Sequence, residues 1–304
     1  MAEENFFLFS LKDILGERTP VIDVLDIGAM QEGEERYAAL SRSGISRVTA
    51  VEPNPPQLAK LRAARPDIHR FIPHFLGDGR PATLHVTRYP GCISLYEPDP
   101  AVIDRFTSIS TAESAGNFHV LHTERIETKR LDDIDPPVEA DYIKIDIQGS
   151  ELDVLRHATD LLSHVLVVEC EVEFIPLYKN QPLLGDVQMF LRDRGFMMHK
   201  MIDVGSRCFR PLDAGGNRYA GMSQLLWADA VFVRDFTDLA AFADEDLLKL
   251  AVILHDIYAS YDLVCQLLGE DDRRTGGNAV VRYTQRLMAF PEHRRWLLNF
   301  KEWI

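Results

Sequence analysis

The residues that point most directly to chemistry lie in one stretch of this 304-residue chain, "ADYIKIDIQGSELDVL", from Ala140 to Leu155. Its alternating isoleucines predict a buried β-strand, yet Lys144 and Asp146 lie two residues apart and therefore on one face of that strand. Because burying an unpaired charge is costly, the two residues indicate either function or an ion pair that holds the sheet edge. Parallel strands are open to ligands at their carboxyl ends, so we predict an active site there, with Asp146 as the proton acceptor.

A second charged face follows in "VVECEVEF", where Glu169, Glu171 and Glu173 alternate with apolar residues. Three like charges on one face of a buried strand are unfavourable unless cations or protons offset them. If this strand neighbours the first, Asp146 meets a glutamate at the sheet edge, and such a pair would bind Mg²⁺ or share a proton. We predict Asp146, Lys144 and Glu171 as the catalytic residues. The candidate metal ligands are Asp146, Glu169 and Glu171.

Acidic residues also end the first three predicted strands. Asp26 ends the strand in "VLDIGAM" and is followed by Gly28, where the absence of a side chain lets backbone N–H groups approach a nucleotide. The dinucleotide fingerprint G-x-G-x-x-G is absent, because Met30 replaces its second glycine. Glu52, in "AVEPN", is placed to accept hydrogen bonds from two ribose hydroxyls, and Asp78 either faces adenine or lies in an ordinary turn. Three acidic strand ends favour a nucleoside without a pyrophosphate, which Asp26 would repel.

Strand-like and helix-like segments alternate along the chain, a pattern typical of a parallel sheet covered by helices. The predicted strands lie in "VIDVLDI", "SRVTAVE", "HRFIPHFLGDG", "DYIKI", "HVLVVECEVEF", "FMMHKMID" and "SQLLWADAVFVRD". Helices are predicted in "GEERYAALSRSG", "PPQLAKLRAARPD" and "GDVQMFLRDRG", and from Glu151, where a carboxylate favours the helix dipole. Ser150 and Asp153 resemble a capping box for that last helix.

The segment 80–130 departs from this alternation. It contains short strand-like pieces and turns, broken by Pro90 and Gly91. We interpret it as an insertion above the sheet. Within it, residues 81–100 are a candidate wall of the substrate site, with a purely structural hairpin as the alternative; the residues that suggest it are Tyr89, Ser94, Leu95 and Tyr96.

We predict one catalytic domain over residues 1–236, which begins with a helical lead-in at 1–20. Beyond it, over 237–304, apolar residues recur at helical spacing from Leu247 to Leu268. This pattern predicts a C-terminal helical extension. Its apolar stripe would either pack onto the main domain or form a homodimer interface.

Composition excludes several classes of partner. The chain has 33 Lys plus Arg against 47 Asp plus Glu, a net charge of −14 that repels nucleic-acid phosphates and anionic lipids. No apolar run reaches the ~18 residues of a membrane span, and the N-terminus is acidic where a secretory signal is positive. The four cysteines are far apart and form no C-x-x-C pair. We therefore expect a cytoplasmic protein with reduced thiols and with neither nucleic-acid nor membrane partners.

Seven segments occur in an order that resembles a known family. They are "VLDIGA", "VEPNP", "LGDG", "RLDDI", "DYIKIDIQGSELDVLRHA", "EVEFIPLYKNQPL" and "QLLWADAVFVR". Together they resemble the FkbM family of S-adenosylmethionine-dependent methyltransferases, over roughly Val21 to Asp235. Gln148 departs from the family pattern, because many relatives have glutamate at that position.

The resemblance implies the class I methyltransferase fold, an α/β Rossmann-like fold with a mostly parallel seven-stranded sheet, helices on both faces and an antiparallel last strand. It implies S-adenosylmethionine as cofactor and O-methylation of a sugar or small secondary metabolite, so the partner is a small hydroxylated molecule. Asp146 would lie beside the methyl group. The cofactor-binding residues that it implies are Asp26, Gly28, Ala29, Glu52, Pro53, Gly77 and Asp78.

Other classes of function stay open at this point. A NAD-type oxidoreductase also uses a strand-end acid such as Glu52, although the missing glycines disfavour it. A binding scaffold that kept the fold and lost the chemistry is a second alternative. A metal site at His119 and His122 is disfavoured, because that spacing in a strand directs the two rings to opposite faces.

Overall fold

The computed structural model describes residues 9–30 and 33–290, and Cα packing divides them into two compact units. The larger unit contains residues 23–30 and 48–235, whereas the smaller one combines the N-terminal segment with the C-terminal helices. Its segments are residues 9–22, 33–47 and 236–290. The predicted lead-in and extension thus share one unit as far as they are described, and their outer parts, 1–8 and 291–304, lie outside the described residues. Over 9–30 and 33–290, no helix is both long enough and apolar enough to cross a membrane.

The described residues contain ten strands. They are β1 Ile22–Ile27, β2 Ser46–Val51, β3 Arg70–Ile72, β4 Phe75–Leu76, β5 Pro81–Thr87, β6 Val120–Lys129, β7 Tyr142–Ile145, β8 Val167–Glu173, β9 Phe196–Arg207 and β10 Gln224–Arg234. Seven of them form one sheet in the order β3-β2-β1-β7-β8-β10-β9. Strand β7 runs parallel to both β1 and β8, and β2 runs parallel to β3, whereas β10 runs antiparallel to β8 and β9. The mostly parallel sheet with an antiparallel last strand confirms the predicted class I methyltransferase fold.

The described residues also contain ten α-helices. They are α1 Lys12–Leu15, α2 Ala38–Arg42, α3 Pro55–Ala64, α4 Pro100–Ile103, α5 Glu151–Arg156, α6 Thr159–Leu162, α7 Leu184–Arg192, α8 Asp244–Asp256, α9 Tyr261–Thr275 and α10 Ala279–Met288. Helix α3 begins as predicted at the prolines, where the side chain of Asn54 accepts a hydrogen bond from the backbone N–H of Gln57. The longest of them are α8 and α9, with 13 and 15 residues.

One face of β7 and β8 carries the main apolar core. Ile143 and Ile145 of β7 are buried together with Leu152 and Leu155 of α5 and with Leu191 of α7. Because side chains alternate along a strand, the apolar face of β7 leaves its charged residues on the opposite face. The core therefore determines where the charged side chains of the site can lie.

The predicted third strand is wrong in one respect: "HRFIPHFLGDG" forms two strands in two sheets. Strand β3 pairs with β2 in the main sheet, whereas β4 pairs with β6 in a separate three-stranded sheet of order β4-β6-β5. Pro73 lies between them and has no N–H to continue a ladder. The small sheet lies within 75–129, and its strands β5 and β6 lie in the segment 80–130, which we call the excursion and whose role as an insertion stays a prediction.

A second apolar core, which we call the covering cluster, joins the excursion to the segments after β8 and in β10. Its members are Cys92, Ile103, Phe106, Ile109, Phe118, Leu177, Tyr178 and Leu226. Trp227 packs against the covering cluster, and the guanidinium of Arg207 lies 4.8 Å from the centre of its ring. A Cβ at Gly205 would overlap the indole of Trp227. Glycine at this position therefore lets the Trp227 ring lie across the backbone of β9.

The smaller unit attaches the N-terminal segment to its helices through buried polar contacts. Asp256, at the end of α8, is fully buried and accepts hydrogen bonds from Ser10 Oγ at 2.7 Å and from the backbone N–H of Leu11 at 2.8 Å. Arg18 makes a two-pronged contact with Asp271 of α9, at 2.9 and 2.5 Å. These contacts explain why the lead-in belongs to the same unit as the C-terminal helices.

The imidazole of His255 lies beside this attachment point. Its Nε2 contacts the backbone oxygen of Phe9 at 2.8 Å and its Nδ1 contacts the Tyr283 hydroxyl at 2.9 Å. Since a carbonyl only accepts, Nε2 carries the hydrogen and the Tyr283 hydroxyl donates to Nδ1. Burial lowers the pKa of His255 to about 4 and raises the pKa of Asp256 to about 6. The folded unit thus favours the neutral form of each group.

These two pKa shifts act on stability in opposite directions, and the Asp256→Asn variant separates them. Because folding raises the pKa of Asp256 from 3.8 to about 6, its contribution is fully present below pH 3.8 and is lost as the pH rises towards 6. We expect the free energy of unfolding of the unmodified chain, relative to Asp256→Asn, to fall by about 2 kcal/mol between pH 4 and pH 6. Urea unfolding of both proteins across this range measures the difference. A constant difference would show that Asp256 ionises in the folded chain as easily as in the unfolded one.

Candidate active site

The turn after β1 brings two strand ends together. Gly28 has φ +86°, and a Cβ at this position would overlap the backbone oxygen of Asp146, which follows β7. The backbone N–H groups of Gly28 and Ala29 both contact the carbonyl of Val51, at 3.1 and 3.2 Å. The chain after β1 therefore passes within contact distance of the chain after β7, and only glycine fits there.

The charged residues of β1 and β7 face each other in register. Asp26 of β1 is the partner of Lys144 in the parallel pairing, and Lys144 Nζ lies 3.8 Å from Asp26 Oδ1. Asp26 is only 1% exposed, so a nearby ammonium offsets much of the cost of burying its charge. Lys144 was predicted to act with Asp146, and the structure places its ammonium beside Asp26 of β1.

Glu52 ends β2 at the same edge of the sheet. Its carboxylate is buried and accepts a hydrogen bond from the backbone N–H of Asn54 at 2.7 Å. Burial raises the pKa of Glu52, and the neighbouring charge of Asp26 adds to this effect. The two acids therefore lie close enough to repel each other. Pro53 follows directly and leads into α3.

Asp78 lies elsewhere than the end of the third main-sheet strand. It follows β4 in the small sheet, where its Oδ1 accepts a hydrogen bond from the backbone N–H of Arg80 at 2.9 Å. The backbone N–H of Gly77 contacts the carbonyl of Lys129 in β6. The geometry of "GDG" is that of a turn, which was the second interpretation of this motif. A role for Gly77 and Asp78 beside adenine stays a prediction.

Asp146 and Glu171 form a carboxyl pair at the ends of the adjacent strands β7 and β8. One side-chain nitrogen, Gln148 Nε2, contacts Asp146 Oδ1 at 3.0 Å and Glu171 Oε2 at 2.7 Å. Burial raises the pKa of Glu171 well above its usual range, and the charge of Asp146 raises it further. Both effects favour the protonated form of Glu171. The pair thus combines a protonated glutamic acid with an acceptor at Asp146.

Glu151 completes a group of three carboxyl groups. One oxygen from each of Asp146, Glu151 and Glu171 lies within 4.8 Å of the others. Oε1 of Glu151 accepts the backbone N–H groups of Ile147 and Gly149, at 2.8 and 3.0 Å. Burial raises the pKa of Glu151 to about 7, and the charge of Asp146 contributes to the shift. Glu151 therefore fixes the loop that carries Asp146, a capping role of the kind that its place in the first turn suggested.

The other glutamates of β8 lie apart from this pair. Glu169, one of the predicted metal ligands, is 1% exposed and accepts a hydrogen bond from the Tyr142 hydroxyl at 2.9 Å. Glu173 is also buried, and burial raises its pKa well above the usual range. The structure thus brings Asp146 and Glu171 together, as predicted from their strands, and adds Glu151 to them, whereas Glu169 contacts Tyr142.

Two polar contacts connect the excursion and the segment after β8 to the loop after β7. Ser94 Oγ donates to the backbone oxygen of Gln148 at 2.6 Å, and the Tyr178 hydroxyl lies 3.2 Å from Gln148 Oε1. The predicted capping box of α5 is wrong: the side chain of Ser150 makes no cap hydrogen bond, and Asp153 instead accepts a hydrogen bond from the Tyr96 hydroxyl at 2.6 Å. Polar groups from two distant segments therefore cover the carboxyl pair.

The sequence prediction missed the role of Gln148, which touches both members of the carboxyl pair. It also missed Tyr178, because nothing in the local pattern connects the segment after β8 with the loop after β7. Gln148 has a positive φ of +59°, a conformation that sequence predicts mainly for glycine and asparagine and not for glutamine. A glycine directly after it, Gly149, was the one available signal of an unusual backbone.

Residues 26–198 match the methyltransferase FkbM domain. No curated protein matches the chain. Among solved structures, a putative methyltransferase from Thermoplasma acidophilum aligns over 72% of this chain and 70% of its own, with 11% identity and a TM-score of 0.34. Precorrin-6y C5,15-methyltransferase from Geobacter metallireducens aligns over 71% and 82%, with 13% identity and a TM-score of 0.33. A SAM-dependent methyltransferase from Aquifex aeolicus aligns over 74% and 90%, with 10% identity and a TM-score of 0.31.

Proposed function

Because this chain belongs to the FkbM methyltransferase family and is thus an S-adenosylmethionine-dependent methyltransferase, we propose that it methylates a hydroxyl group of a sugar or small metabolite. The observation that carries the proposal is the pair of Asp146 and Glu171 at the ends of adjacent parallel strands. A neutral alcohol is a poor nucleophile, and such a pair offers the acceptor that its proton needs. The alcohol is the part of the proposal that the family itself leaves open.

The residues at the other strand ends fit the cofactor. Gly28 lets the turn after β1 pass directly against the backbone of Asp146, and Glu52 presents a buried carboxylate that can accept hydrogen bonds from ribose hydroxyls. Bound S-adenosylmethionine supplies an electrophilic methyl group on a sulfonium. Asp26 and Lys144 lie between the two groups of residues, where their ion pair leaves little net charge. We propose that Asp26, Gly28, Ala29, Glu52 and Pro53 form the cofactor side.

On the acceptor side, Asp146 receives the proton. The acceptor hydroxyl would give its proton to Asp146 as its oxygen takes the methyl group, which S-adenosylmethionine would supply when bound, with the thioether as leaving group. Glu171, already protonated, keeps a second negative charge away from the reacting oxygen. Ser94 and Tyr178 hold Gln148 in place beside the pair. Asp146 is thus the catalytic base, and Glu171 holds it.

Mg²⁺ was the other cofactor considered, with Asp146, Glu169 and Glu171 as ligands. These residues do not fit the ion as a set, because Glu169 is bonded to Tyr142 and the amide N–H₂ of Gln148 already contacts both remaining carboxyl groups. No step of the proposed mechanism therefore involves a metal.

Location and assembly complete the proposal. The four cysteines are free thiols, three of them buried, which is consistent with a reducing cytoplasm. Most of the predicted apolar stripe, from Leu247 to Leu268, is buried within the single chain. A homodimer through the C-terminal helices would therefore have to use their outer surface, where Val281 and Met288 are 37% and 40% exposed.

Calorimetry and a substrate screen test the proposal. We expect S-adenosylmethionine and its demethylated product to bind, and labelled methyl groups to reach hydroxylated sugars or small metabolites but not the matched deoxy compounds. Binding of the cofactor without transfer to any hydroxyl compound would favour the scaffold alternative. Transfer to the deoxy compounds would show that the methyl group goes to nitrogen or carbon.

The Glu52→Gln variant tests the cofactor side by itself. Replacing a charged acceptor of two hydroxyls by a neutral amide should weaken S-adenosylmethionine binding by about 10- to 100-fold, since hydrogen bonds to charged groups contribute roughly 1.5–3 kcal/mol. Calorimetric titration measures the change. The same substitution at the exposed Glu127 of β6 is the matched control and should leave the affinity within about twofold. Equal affinities for the two variants would remove Glu52 from the cofactor site.

A further inference from the structure

Gln148 is held on three sides, in a backbone conformation that non-glycine residues rarely adopt. Its φ is +59°, its backbone oxygen accepts the Ser94 hydroxyl, and its Oε1 accepts the Tyr178 hydroxyl. Its Nε2 contacts both Asp146 and Glu171. No other side chain in the described part of the site touches both members of the carboxyl pair. A residue in a rare backbone conformation, with its side-chain amide and its backbone oxygen both engaged, indicates a position that the surrounding structure maintains.

The orientation of the Gln148 amide decides what it presents to the pair. Nε2 is the amide atom at hydrogen-bond distance from both carboxyl groups, and Oε1 faces the Tyr178 hydroxyl, which is also 3.2 Å from the backbone oxygen of Cys92. An amide nitrogen has two hydrogens, one for each carboxyl group. The electropositive edge of the amide thus occupies the position from which a cation would contact Asp146 and Glu171 together. A divalent ion needs lone pairs directed at it, and N–H bonds directed at the same oxygens repel it.

The third carboxyl group of the cluster is also engaged by donors. Oε1 of Glu151 accepts two backbone N–H groups, from Ile147 and Gly149. Neutral donors therefore reach all three carboxyl groups that lie within reach of a common ion. Asp146 can act as a base while its orientation is fixed by an amide hydrogen bond.

We infer that Gln148 takes the place of a divalent cation between Asp146 and Glu171 and positions Asp146 for a reaction without metal. This inference rests on the proposed function for the role of Asp146, but the binding property itself is independent of catalysis. Gln148 acts through Asp146 and is therefore a positioning residue. A carboxylate at this position would remove the two N–H donors and add a third acceptor to the pair, so the same loop would become a cation site.

Titration with manganese chloride alone, followed by electron paramagnetic resonance, tests the inference in the Gln148→Glu variant. Glutamate has the shape of glutamine, so the backbone of the loop is preserved. We expect Gln148→Glu to bind Mn²⁺ at least about tenfold more tightly than the unmodified chain. The exposed Gln188 of α7 provides the matched control, because Gln188→Glu adds the same charge away from the pair and should leave Mn²⁺ binding unchanged. Gln148→Met, which removes the donors without adding charge, should also gain affinity and replaces Gln148→Glu if that variant fails to fold.

Methyl transfer gives the second measurement. We expect a chelator to leave the rate of the unmodified chain unchanged, and to lower the rate of Gln148→Glu by about tenfold or more until Mg²⁺ or Mn²⁺ is restored. Tight Mn²⁺ binding by the unmodified chain that Asp146→Asn abolishes would overturn the inference, as would a Gln148→Glu variant that gains no affinity. If the unmodified chain methylates no hydroxyl compound, the proposed function fails, whereas the Mn²⁺ titration still decides the role of Gln148.

Discussion

Replacing Asp146 by asparagine is expected to lower kcat by about 10²- to 10⁴-fold, the usual contribution of a positioned general base. Asparagine keeps the size of the side chain and can still accept a hydrogen bond from Gln148 Nε2, so the loop after β7 should keep its conformation. S-adenosylmethionine affinity should stay within about threefold, because the carboxylate of Asp146 faces Gln148 and Glu171 and not the residues proposed for the cofactor side. Steady-state kinetics and calorimetry on the same preparation measure both quantities.

Asp193→Asn is the matched control for this experiment, since Asp193 follows α7 and its side chain is 67% exposed. Its kcat should equal that of the unmodified chain. A kcat for Asp146→Asn within about threefold of the control would mean that another group, or water, accepts the proton. A parallel loss of cofactor affinity would mean that Asp146 serves binding and not proton transfer.

Gly28→Ala is expected to destabilise the chain by about 3 kcal/mol or more and to weaken S-adenosylmethionine binding at least about tenfold. Two effects combine at this position. The backbone has φ +86°, and the new Cβ would overlap the backbone oxygen of Asp146. The overlapped oxygen belongs to the backbone directly after core strand β7, so it cannot move without displacing that strand. Urea unfolding and calorimetry measure the two losses.

Gly44→Ala separates the two effects. Gly44 also has a left-handed backbone, with φ +67°, but a Cβ there would meet no atom within 4 Å. This control should therefore lose only the roughly 1–2 kcal/mol that an L-residue costs in the left-handed region, with cofactor affinity unchanged. If Gly28→Ala proved no worse than Gly44→Ala, the approach of the two strand ends would be looser than the structure shows.

The central part of the site follows from local rules that the sequence exposes. Charged residues inside otherwise apolar strands identified β7 and β8, and the pairing of neighbouring parallel strands brought Asp146 to Glu171. The sequence predicts which side chains share a face of a strand, because the two-residue period of a strand does not depend on the rest of the fold. The same reasoning found Glu52 at the end of β2.

Contacts between distant segments could not be read in this way. Lys144 lies beside Asp26 because of the register of β7 with β1, and nothing within either strand determines that register. The capping-box pattern at Ser150 and Asp153 was overridden by a hydroxyl from the excursion, Tyr96, which lies 57 residues away from Asp153. A local pattern predicts only the hydrogen bonds that a segment can form by itself. At Asp153, a tertiary hydrogen bond from Tyr96 takes the place of the predicted local one.

The prediction of a single strand in "HRFIPHFLGDG" was wrong for a related reason. Its apolar content is continuous enough for a single strand, but Pro73 interrupts the ladder and the chain changes sheets there. That change moves Asp78 from the main sheet to the small one. An acid that closes an apparent strand is therefore informative only when the strand has been assigned to the right sheet.

The close packing of Trp227 over Gly205 has a practical consequence for watching this enzyme at work. The chain has three tryptophans, and the other two, Trp296 and Trp303, lie outside the described residues. Exchanging those two for phenylalanine leaves a single indole, wedged between the guanidinium of Arg207 and the covering cluster. Its fluorescence then reports movement of the covering cluster, and a stopped-flow instrument can record it without any added dye.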